Sequence, residues 1–213
     1  MGKIIKLDDK FVIAQASIVR NINSSKEDIK KALFLLGQEI GKKFVENYYL
    51  EEREITTPMN ESISSLLPKF PLSVIITTRD DTEHLRKGLA SILDNCKLGY
   101  MDFEGRRGLE ALNSSVRMLQ LPEIKNKVVD SLIIGKAVLA TGCTAISLTK
   151  TAIKEYLPKR LIITTIFYSR MGLSELIKEF PHADIFVVGE PDDINEDGML
   201  VPGVGNLDER LRV

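Results

Sequence analysis

Residues 132–149 read LIIGKAVLATGCTAISLT, and this stretch decides the fold. Residues 132–134 form an apolar strand, residues 140–144 a loop of small side chains, and a helix opens near Thr144. A loop that joins a strand to a helix presents backbone N–H groups at the positive end of the helix dipole, which favours anion binding. The stretch therefore predicts one strand–loop–helix unit of an α/β fold.

The loop at residues 140–144 is a candidate phosphate site. Gly142 allows the backbone to approach a phosphate group closely, and the hydroxyls of Thr141 and Thr144 can donate hydrogen bonds to it. An ordinary strand-to-helix turn capped by Thr144 would show the same spacing. The candidate phosphate-binding residues are Ala140, Thr141, Gly142, Cys143 and Thr144.

Other apolar, β-branched segments alternate with helical segments along the chain. This alternation indicates a parallel-centred α/β sheet that is flanked by helices. A length of 213 residues is compatible with a single domain. Strands are predicted over 54–58, 74–78, 132–134, 161–167 and 185–188, and helices are predicted from the loop at 79–82 to about 93, from 144 through 153, and over 172–180.

Residues 1–50 are predicted to form an N-terminal helical appendage. Ser24 or Ser25 can cap a helix that has Glu27 or Asp28 in its first turn and that continues to about residue 48. We expect residues 11–20 to form a short strand or an extended arm. The apolar positions that recur at helical spacing are Ile29, Leu33, Leu36, Ile40 and Phe44.

Residues 97–120 contain three glycines, at positions 99, 105 and 108. Glycine-rich stretches without apolar periodicity are typical of irregular structure. We therefore expect a protruding arm or hairpin over about 97–120.

Residues 193–210 read DINEDGMLVPGVGNLDER. Pro202 lies among Gly198, Gly203 and Gly205, which indicates a loop of fixed shape. The backbone N–H and C=O groups of such a loop can recognise the polar edge of a planar base. A structural Ω-loop is the alternative interpretation.

The composition argues against several classes of partner. With 29 basic and 30 acidic residues and a net charge of −1, the chain has no strong positive field, so nucleic acid is not expected as a partner. The sequence contains no run of about 18 apolar residues, so no membrane span is predicted. The first residues do not resemble a signal peptide. The two cysteines suggest a reduced, cytoplasmic protein. His84 and His182 lack metal-ligand spacing, so no metal site is predicted from them.

These features together resemble the uracil phosphoribosyltransferases, a branch of the type I phosphoribosyltransferases, over about residues 11–210. The resemblance implies transfer of ribose 5-phosphate from phosphoribosyl pyrophosphate to N1 of uracil, which gives UMP and pyrophosphate. It also implies Mg²⁺ as cofactor and a homodimer. The residues that carry the resemblance are Leu36-Gly37, Thr57-Pro58, Leu121-Pro122, Leu139 to Gly142, Gly172, Asn195, Glu196, Gly198, Pro202, Gly203, Gly205 and Arg210.

The resemblance also implies roles for particular residues. The loop at 140–144 would hold the 5′-phosphate, and Arg79 would lie in a pyrophosphate-binding loop. The residues implied to recognise uracil are Met199, Leu200, Gly203, Gly205 and Asn206.

The sequence departs from the family in the half of the site that binds ribose and pyrophosphate. Lys136-Ala137 stand where the family has an acidic residue and a proline. A carboxylate accepts hydrogen bonds from ribose hydroxyls, whereas an ammonium group can only donate them. Asp80 and Asp81, next to Arg79, would repel pyrophosphate unless a metal ion intervenes. Further departures are Asp102 near the place of an arginine, Gln120 where a basic residue is usual, and Asn206 where the family is acidic.

Two interpretations of Lys136 remain open. Its ammonium group could stand near a bound phosphate and replace the charge of magnesium. It could instead extend from the strand end into solvent, which is the usual behaviour of lysine. No catalytic residue is assigned, because Lys136 replaces the expected acid.

We therefore expect a uracil phosphoribosyltransferase homologue whose activity is weak or lost. The alternative is a non-catalytic sensor of pyrimidine nucleotides, or a partner subunit of an active paralogue.

Overall fold

The computed structural model describes residues 2–78, 83–103 and 118–211. The strands are β1 Ile4–Leu7, β2 Leu50–Thr56, β3 Ser62–Pro68, β4 Ser73–Thr78, β5 Cys96–Asp102, β6 Met118–Gln120, β7 Val128–Leu139, β8 Leu157–Tyr168, β9 Asp184–Val188, β10 Asp193–Ile194 and β11 Leu200–Val201. The α-helices are α1 Lys10–Arg20, α2 Lys26–Phe44, α3 Glu83–Ala90, α4 Cys143–Glu155, α5 Arg170–Glu179 and α6 Leu207–Leu211.

Seven of these strands form one central sheet in the order β1-β9-β8-β7-β4-β5-β6. Neighbouring strands are parallel, except that β6 at the edge runs antiparallel to β5. The predicted parallel-centred α/β sheet flanked by helices is confirmed. The central strands are buried on both faces, which explains their continuous runs of apolar, β-branched residues.

The sheet separates two apolar clusters. Alternate residues of a strand point to opposite faces, so Ile133 packs with α1, α2 and α3, whereas Leu132 and Ile134 pack with α4 and α5. Within the described part of the chain, no helix has both the length and the apolar character needed to cross a membrane.

Helix α1 corrects one prediction, because residues 11–20 are helical rather than extended. The Asp9 carboxylate caps the helix by accepting hydrogen bonds from the backbone N–H groups of Phe11 and Val12, at 3.1 and 3.0 Å. Val12, Ala16 and Val19 are spaced for one helical face and are buried in the main cluster. This packing outweighs the preference of the β-branched residues for strands.

Helix α2 follows its prediction closely. Ser25 and Asp28 form a capping box at its start, and the predicted apolar positions are all buried. The helix ends in a single π-helical turn, Val45–Tyr49. A methyl group at Gly88 of α3 would lie 2.0 Å from the Phe34 carbonyl oxygen, so the backbones of α2 and α3 are in contact at this crossing.

The range 97–120 is not irregular at either end, and the antiparallel pairing of β5 with β6 agrees with the predicted alternative of a hairpin. Residues at its start belong to β5, whose Met101 is fully buried, and residues at its end belong to β6. Gly99 allows this arrangement, since a side chain there would crowd the carbonyl oxygen of Gln120 at 3.1 Å. Residues 104–117 lie outside the described ranges.

Strands β2 and β3 form a separate antiparallel hairpin of seven residue pairs, from Leu50–Pro68 to Thr56–Ser62. The prediction found only the second half of β2. No residue of either strand is buried within the chain, so the hairpin projects from the main sheet.

Candidate functional site

The candidate phosphate loop lies at the C-terminal end of β7, in the middle of the sheet. Gly142, with φ of 84°, is the N-cap of α4, and its backbone leads directly into the helix at Cys143. The turn is therefore not capped by Thr144, which lies inside the first turn. The N-cap, a glycine, supplies no side-chain hydrogen bond, and an uncapped helix N-terminus of this kind is suited to binding an anion.

Helix α5 holds this loop in place. Ser169 donates a hydrogen bond from its hydroxyl to the Ala140 carbonyl at 2.6 Å and accepts one from the Gly172 N–H at 2.8 Å. A methyl group at Gly172 would lie 2.4 Å from the same carbonyl oxygen. The start of α5 and the loop are thus packed backbone to backbone.

Lys136 lies on β7 shortly before the loop, opposite Thr165 of β8. The structure places it partly exposed, whereas its neighbour Ala137 is completely buried. A cationic side chain therefore precedes the loop on the strand from which the loop emerges. Arg79, Asp80 and Asp81, the candidates for the pyrophosphate loop, lie outside the described residues.

The candidate base loop follows β9. Residues Asp193–Ile194 and Leu200–Val201 pair as β10 and β11, and the turn between them is closed by the Asn195 side chain. Its Oδ1 accepts hydrogen bonds from the N–H groups of Asp197 and Met199, at 3.1 and 2.9 Å. Met199 is partly exposed at 37%, whereas Leu200 is buried.

The second half of the base loop bends back on itself at two glycines. Gly203 and Gly205 have φ angles of 62° and 66°, in the region that favours glycine. A methyl group on Gly203 would lie 2.0 Å from the Leu200 carbonyl oxygen. Asn206 follows, partly buried, ahead of α6.

Two arginines connect this loop to the end of α1 through hydrogen bonds. Arg210 donates hydrogen bonds to the carbonyl oxygens of Val19, Asn21 and Val204, at 2.6, 2.7 and 2.9 Å. Arg20 donates to the Gly203 carbonyl at 2.9 Å. These hydrogen bonds attach the base loop to the N-terminal part of the chain.

The two loops meet through the end of β8. Ser169, which contacts the phosphate loop, forms a parallel bridge with Asp192. Asp192 in turn makes two hydrogen bonds with Arg20, at 2.8 and 2.9 Å. The structure therefore joins the predicted phosphate and base residues into one region at the C-terminal edge of the sheet.

Burial shifts the pKa of two ionisable side chains, Tyr168 at the end of β8 and His84 on α3. Burial raises the pKa of Tyr168, whose hydroxyl donates to the Gly189 carbonyl at 3.0 Å. Burial lowers the pKa of His84 on α3, although Glu83 acts in the opposite direction.

The described residues do not supply a magnesium site of their own. Among them, no three His, Cys, Asp or Glu side chains come close enough to hold a metal ion, and Asp192 is already paired with Arg20. A magnesium ion here would depend on oxygen atoms of phosphoribosyl pyrophosphate, or on residues outside the described ranges.

Sequence reasoning missed Arg20, Ser169 and Asp192, which connect the two loops. Ser169 could have been found, because a serine three residues before Gly172 at the start of a helix is a typical N-cap. Arg20 and Asp192 carry no local signal, since their pairing depends on how distant elements pack.

Comparisons with known proteins agree with this geometry. The sequence model of the family described as "Uracil phosphoribosyltransferase" matches residues 6–211. The chain is 28% identical to the uracil phosphoribosyltransferase of Thermococcus gammatolerans, over 95% of this chain and 89% of that protein. It is also 28% identical to the uracil phosphoribosyltransferase of Methanococcus vannielii, over 95% of this chain and 86% of that one.

Among solved structures, the AQ2163 protein from Aquifex aeolicus is similar, with a TM-score of 0.80 and 25% identity. The similarity covers 98% of this chain and 97% of that one. The match of the family model over nearly the whole length settles the family. The chain belongs to the uracil phosphoribosyltransferases.

Proposed function

We propose that this protein binds UMP or uracil through its phosphate and base loops and transfers the phosphoribosyl group slowly or not at all. The observation that carries the proposal is Lys136, which precedes an otherwise well-supported phosphate loop in place of an acidic residue. The loops that would bind the two ends of UMP keep the glycines of the family's pattern. Except for Asn206 in the base loop, the departures fall on the ribose and pyrophosphate half.

The charge of Lys136 affects the transition state more than the bound nucleotide. The ribose becomes positively charged, like an oxocarbenium ion, as pyrophosphate leaves, and a carboxylate would stabilise that charge. Losing one preorganised group of this kind costs about 10²–10³ in rate. The phosphate and the base would each keep their own backbone donors, so their binding should suffer less.

In this proposal the chain's own residues bind and orient the ligand. The N–H groups at the start of α4, with the hydroxyls of Thr141 and Thr144, hold the 5′-phosphate. The backbone of residues 199–206 recognises the polar edge of the base. Magnesium, brought by phosphoribosyl pyrophosphate, would neutralise charge on the leaving pyrophosphate.

Turnover and binding measured side by side test the proposal. We expect uracil phosphoribosyltransferase activity at least about 10²-fold below that of an active relative assayed in parallel, together with saturable binding of UMP by calorimetry. Turnover equal to that of the relative would refute the loss of activity. Failure to bind UMP or uracil at millimolar concentration would refute the binding half.

Restoring the acidic residue gives a second test. Lys136→Asp should raise turnover, because it places a carboxylate next to the ribose hydroxyls. Ala137→Pro added to it would complete the family's pattern. Lys125→Asp is the matched control, since it makes the same charge change at an exposed position far from the loops. If Lys136→Asp and Lys125→Asp changed turnover equally, the change would be due to net charge alone.

The alternative function, a sensor or a partner subunit of an active paralogue, shares the same binding site. It predicts nucleotide binding with no turnover even after Lys136→Asp. Mixing the protein with an active paralogue from the same source and measuring a change in the paralogue's rate would favour the partner role.

We further propose that the protein is a homodimer. Helix α1 packs on the core of its own chain, so the N-terminal region gives no reason to expect a second subunit. The reason to expect a second subunit is instead the exposed β2–β3 hairpin, because an isolated two-stranded hairpin is only marginally stable in water. One face of seven residue pairs covers about 240 Å². In a two-fold dimer, two hairpins and the two surfaces they cover would together bury about 1,000 Å², near the lower limit for a specific interface.

A cytoplasmic location also belongs to the proposal. Both Cys96 and Cys143 are free thiols, which is typical of proteins from reducing compartments. We expect both thiols to stay reduced in protein that is purified without reductant. A mixed disulfide at either cysteine would argue against the proposed location.

A further inference from the structure

Three side chains that the sequence did not single out connect the two halves of the site. Ser169 contacts the phosphate loop at Ala140, Asp192 forms a β-bridge with Ser169, and Arg20 joins Asp192 to Gly203 of the base loop. The contacts of Ser169 with Ala140 and of Arg20 with Asp192 and Gly203 are hydrogen bonds of ordinary length. Asp192 is joined to the end of β8 through its backbone, because its N–H donates to the Tyr168 carbonyl. Together they form a continuous path from one loop to the other, which we call the loop bridge.

We propose that Arg20 is a positioning residue that holds the base loop at a fixed place relative to the phosphate loop, through the loop bridge. This inference rests on the proposed nucleotide binding for its consequences, but the positioning itself is a property of the free protein. A ligand with a phosphate at one end and a base at the other can engage both loops only if their separation is fixed. Arg20 would therefore contribute to the recognition of a whole nucleoside monophosphate, rather than of phosphate or ribose phosphate alone.

The surroundings of Arg20 support a positioning role rather than a surface ion pair. Its side chain is 28% exposed and that of Asp192 is 5% exposed, so the pair is largely protected from water. Two guanidinium nitrogens reach the two carboxylate oxygens of Asp192, and this bidentate geometry fixes orientation as well as distance. The guanidinium also lies over the Phe167 ring, 4.7 Å from its centre.

The contact with the base loop goes through the backbone. Arg20 donates to the carbonyl of Gly203, the residue at which the loop reverses direction, so this contact acts on the backbone of the loop. Asp192 is itself fixed by its N–H, which donates to the Tyr168 carbonyl at 2.7 Å. The loop bridge thus begins and ends on backbone atoms.

Arg20→Lys is the informative variant. Lysine keeps the positive charge but lacks the planar fork needed to hold both oxygens of Asp192 and the Gly203 carbonyl at once. Asp192→Asn provides a second variant, because it keeps the shape of the side chain while weakening the pairing. Arg53→Lys is the matched control, since Arg53 forms an exposed ion pair with Glu51 on the β2–β3 hairpin.

Hydrogen exchange of the ligand-free protein tests the positioning directly. We expect both variants to increase amide exchange at residues 203–205 at least tenfold, with unchanged exchange at residues 140–146 and in the control. Unchanged exchange at 203–205 in both variants would overturn the inference. A uniform increase over the whole chain would also overturn it, because that result indicates general destabilisation.

Affinity measurements test the consequence for ligands. Arg20→Lys should weaken UMP binding at least tenfold and leave the binding of ribose 5-phosphate unchanged. An equal loss of affinity for both ligands would contradict a role in placing the base loop. If the wild-type protein binds neither ligand, the proposed function fails, whereas the exchange experiment still decides whether Arg20 positions the loop.

Discussion

Among single residues, Gly172 has the most direct control over the phosphate loop. Gly172→Ala would place a methyl group 2.4 Å from the Ala140 carbonyl oxygen, so either α5 or the loop must move. We expect a loss of about 1–3 kcal/mol in the free energy of unfolding, as for other overpacked contacts, and at least tenfold weaker binding of ribose 5-phosphate. Urea denaturation and calorimetry measure the two effects.

Ser174→Ala is the control for this change, because Ser174 is exposed on the same helix. A Gly172→Ala protein with wild-type affinity for ribose 5-phosphate would show that this packing does not shape the anion site.

The imidazole of His84 makes stability depend on pH. Burial lowers its pKa below the ordinary value of 6.5, so the unfolded chain binds a proton more readily than the folded protein. Stability should therefore fall as the pH drops through about 6.5. Thermal unfolding between pH 5 and 8 should show a smaller slope for His84→Gln than for the wild type. Equal slopes for His84→Gln and the wild type would exclude His84 as the cause.

At the level of elements, the crossing of α2 and α3 depends on glycine. Gly37 and Gly88 face each other, and methyl groups there would lie 2.3 and 2.0 Å from backbone carbonyl oxygens. Gly88→Ala should destabilise the fold by about 1–2 kcal/mol, because the overpacking cost exceeds the better helix propensity of alanine. Denaturant unfolding is the measurement, with Lys87→Ala as the exposed neighbour for comparison. A Gly88→Ala protein as stable as the wild type would mean that α3 can shift freely.

The elements also show what a sequence can and cannot predict here. Helix α2 and the strand–loop–helix at Gly142 have strong local signals, a capping box and a glycine between apolar segments, and both were predicted. Helix α1 was missed, because its β-branched residues favour strands and its burial depends on distant partners. The edge strand β1 has only four residues, which is too short for a recognisable sequence pattern. It forms because it pairs with β9.

The candidate site divides in the same way. Gly203 and Gly205 were found because their backbone conformation requires glycine, a local property. The attachment of their loop to Arg20 was not found, since the hydrogen bond joins residues 183 positions apart.

For the molecule as a whole, the β2–β3 hairpin offers a direct test of assembly. Leu66 is 64% exposed on β3, and Leu66→Lys would place a charge in the interface that we propose. We expect light scattering to report a dimer for the wild type and a larger monomer fraction for Leu66→Lys at micromolar concentration. Ser64→Lys, on the same face of the same strand, separates the effect of apolar loss from that of charge. A wild-type monomer would remove the basis for the proposal.

The attachment of the base loop to α1 also has a consequence for the order in which the protein folds. The hydrogen bond between Ser169 and Ala140 closes a separation of 29 residues, whereas those of the base loop close separations of 183 and 191 residues. Closing a longer loop costs more entropy and is slower. The phosphate loop can therefore form while the chain is still being synthesised, and the base loop can dock only after residue 210 has left the ribosome. We expect pulse-labelled hydrogen exchange to protect residues 140–146 before residues 200–205, and the reverse order would contradict this. A chain truncated before residue 210 would form the phosphate loop but could not dock the base loop, and so could not select a base.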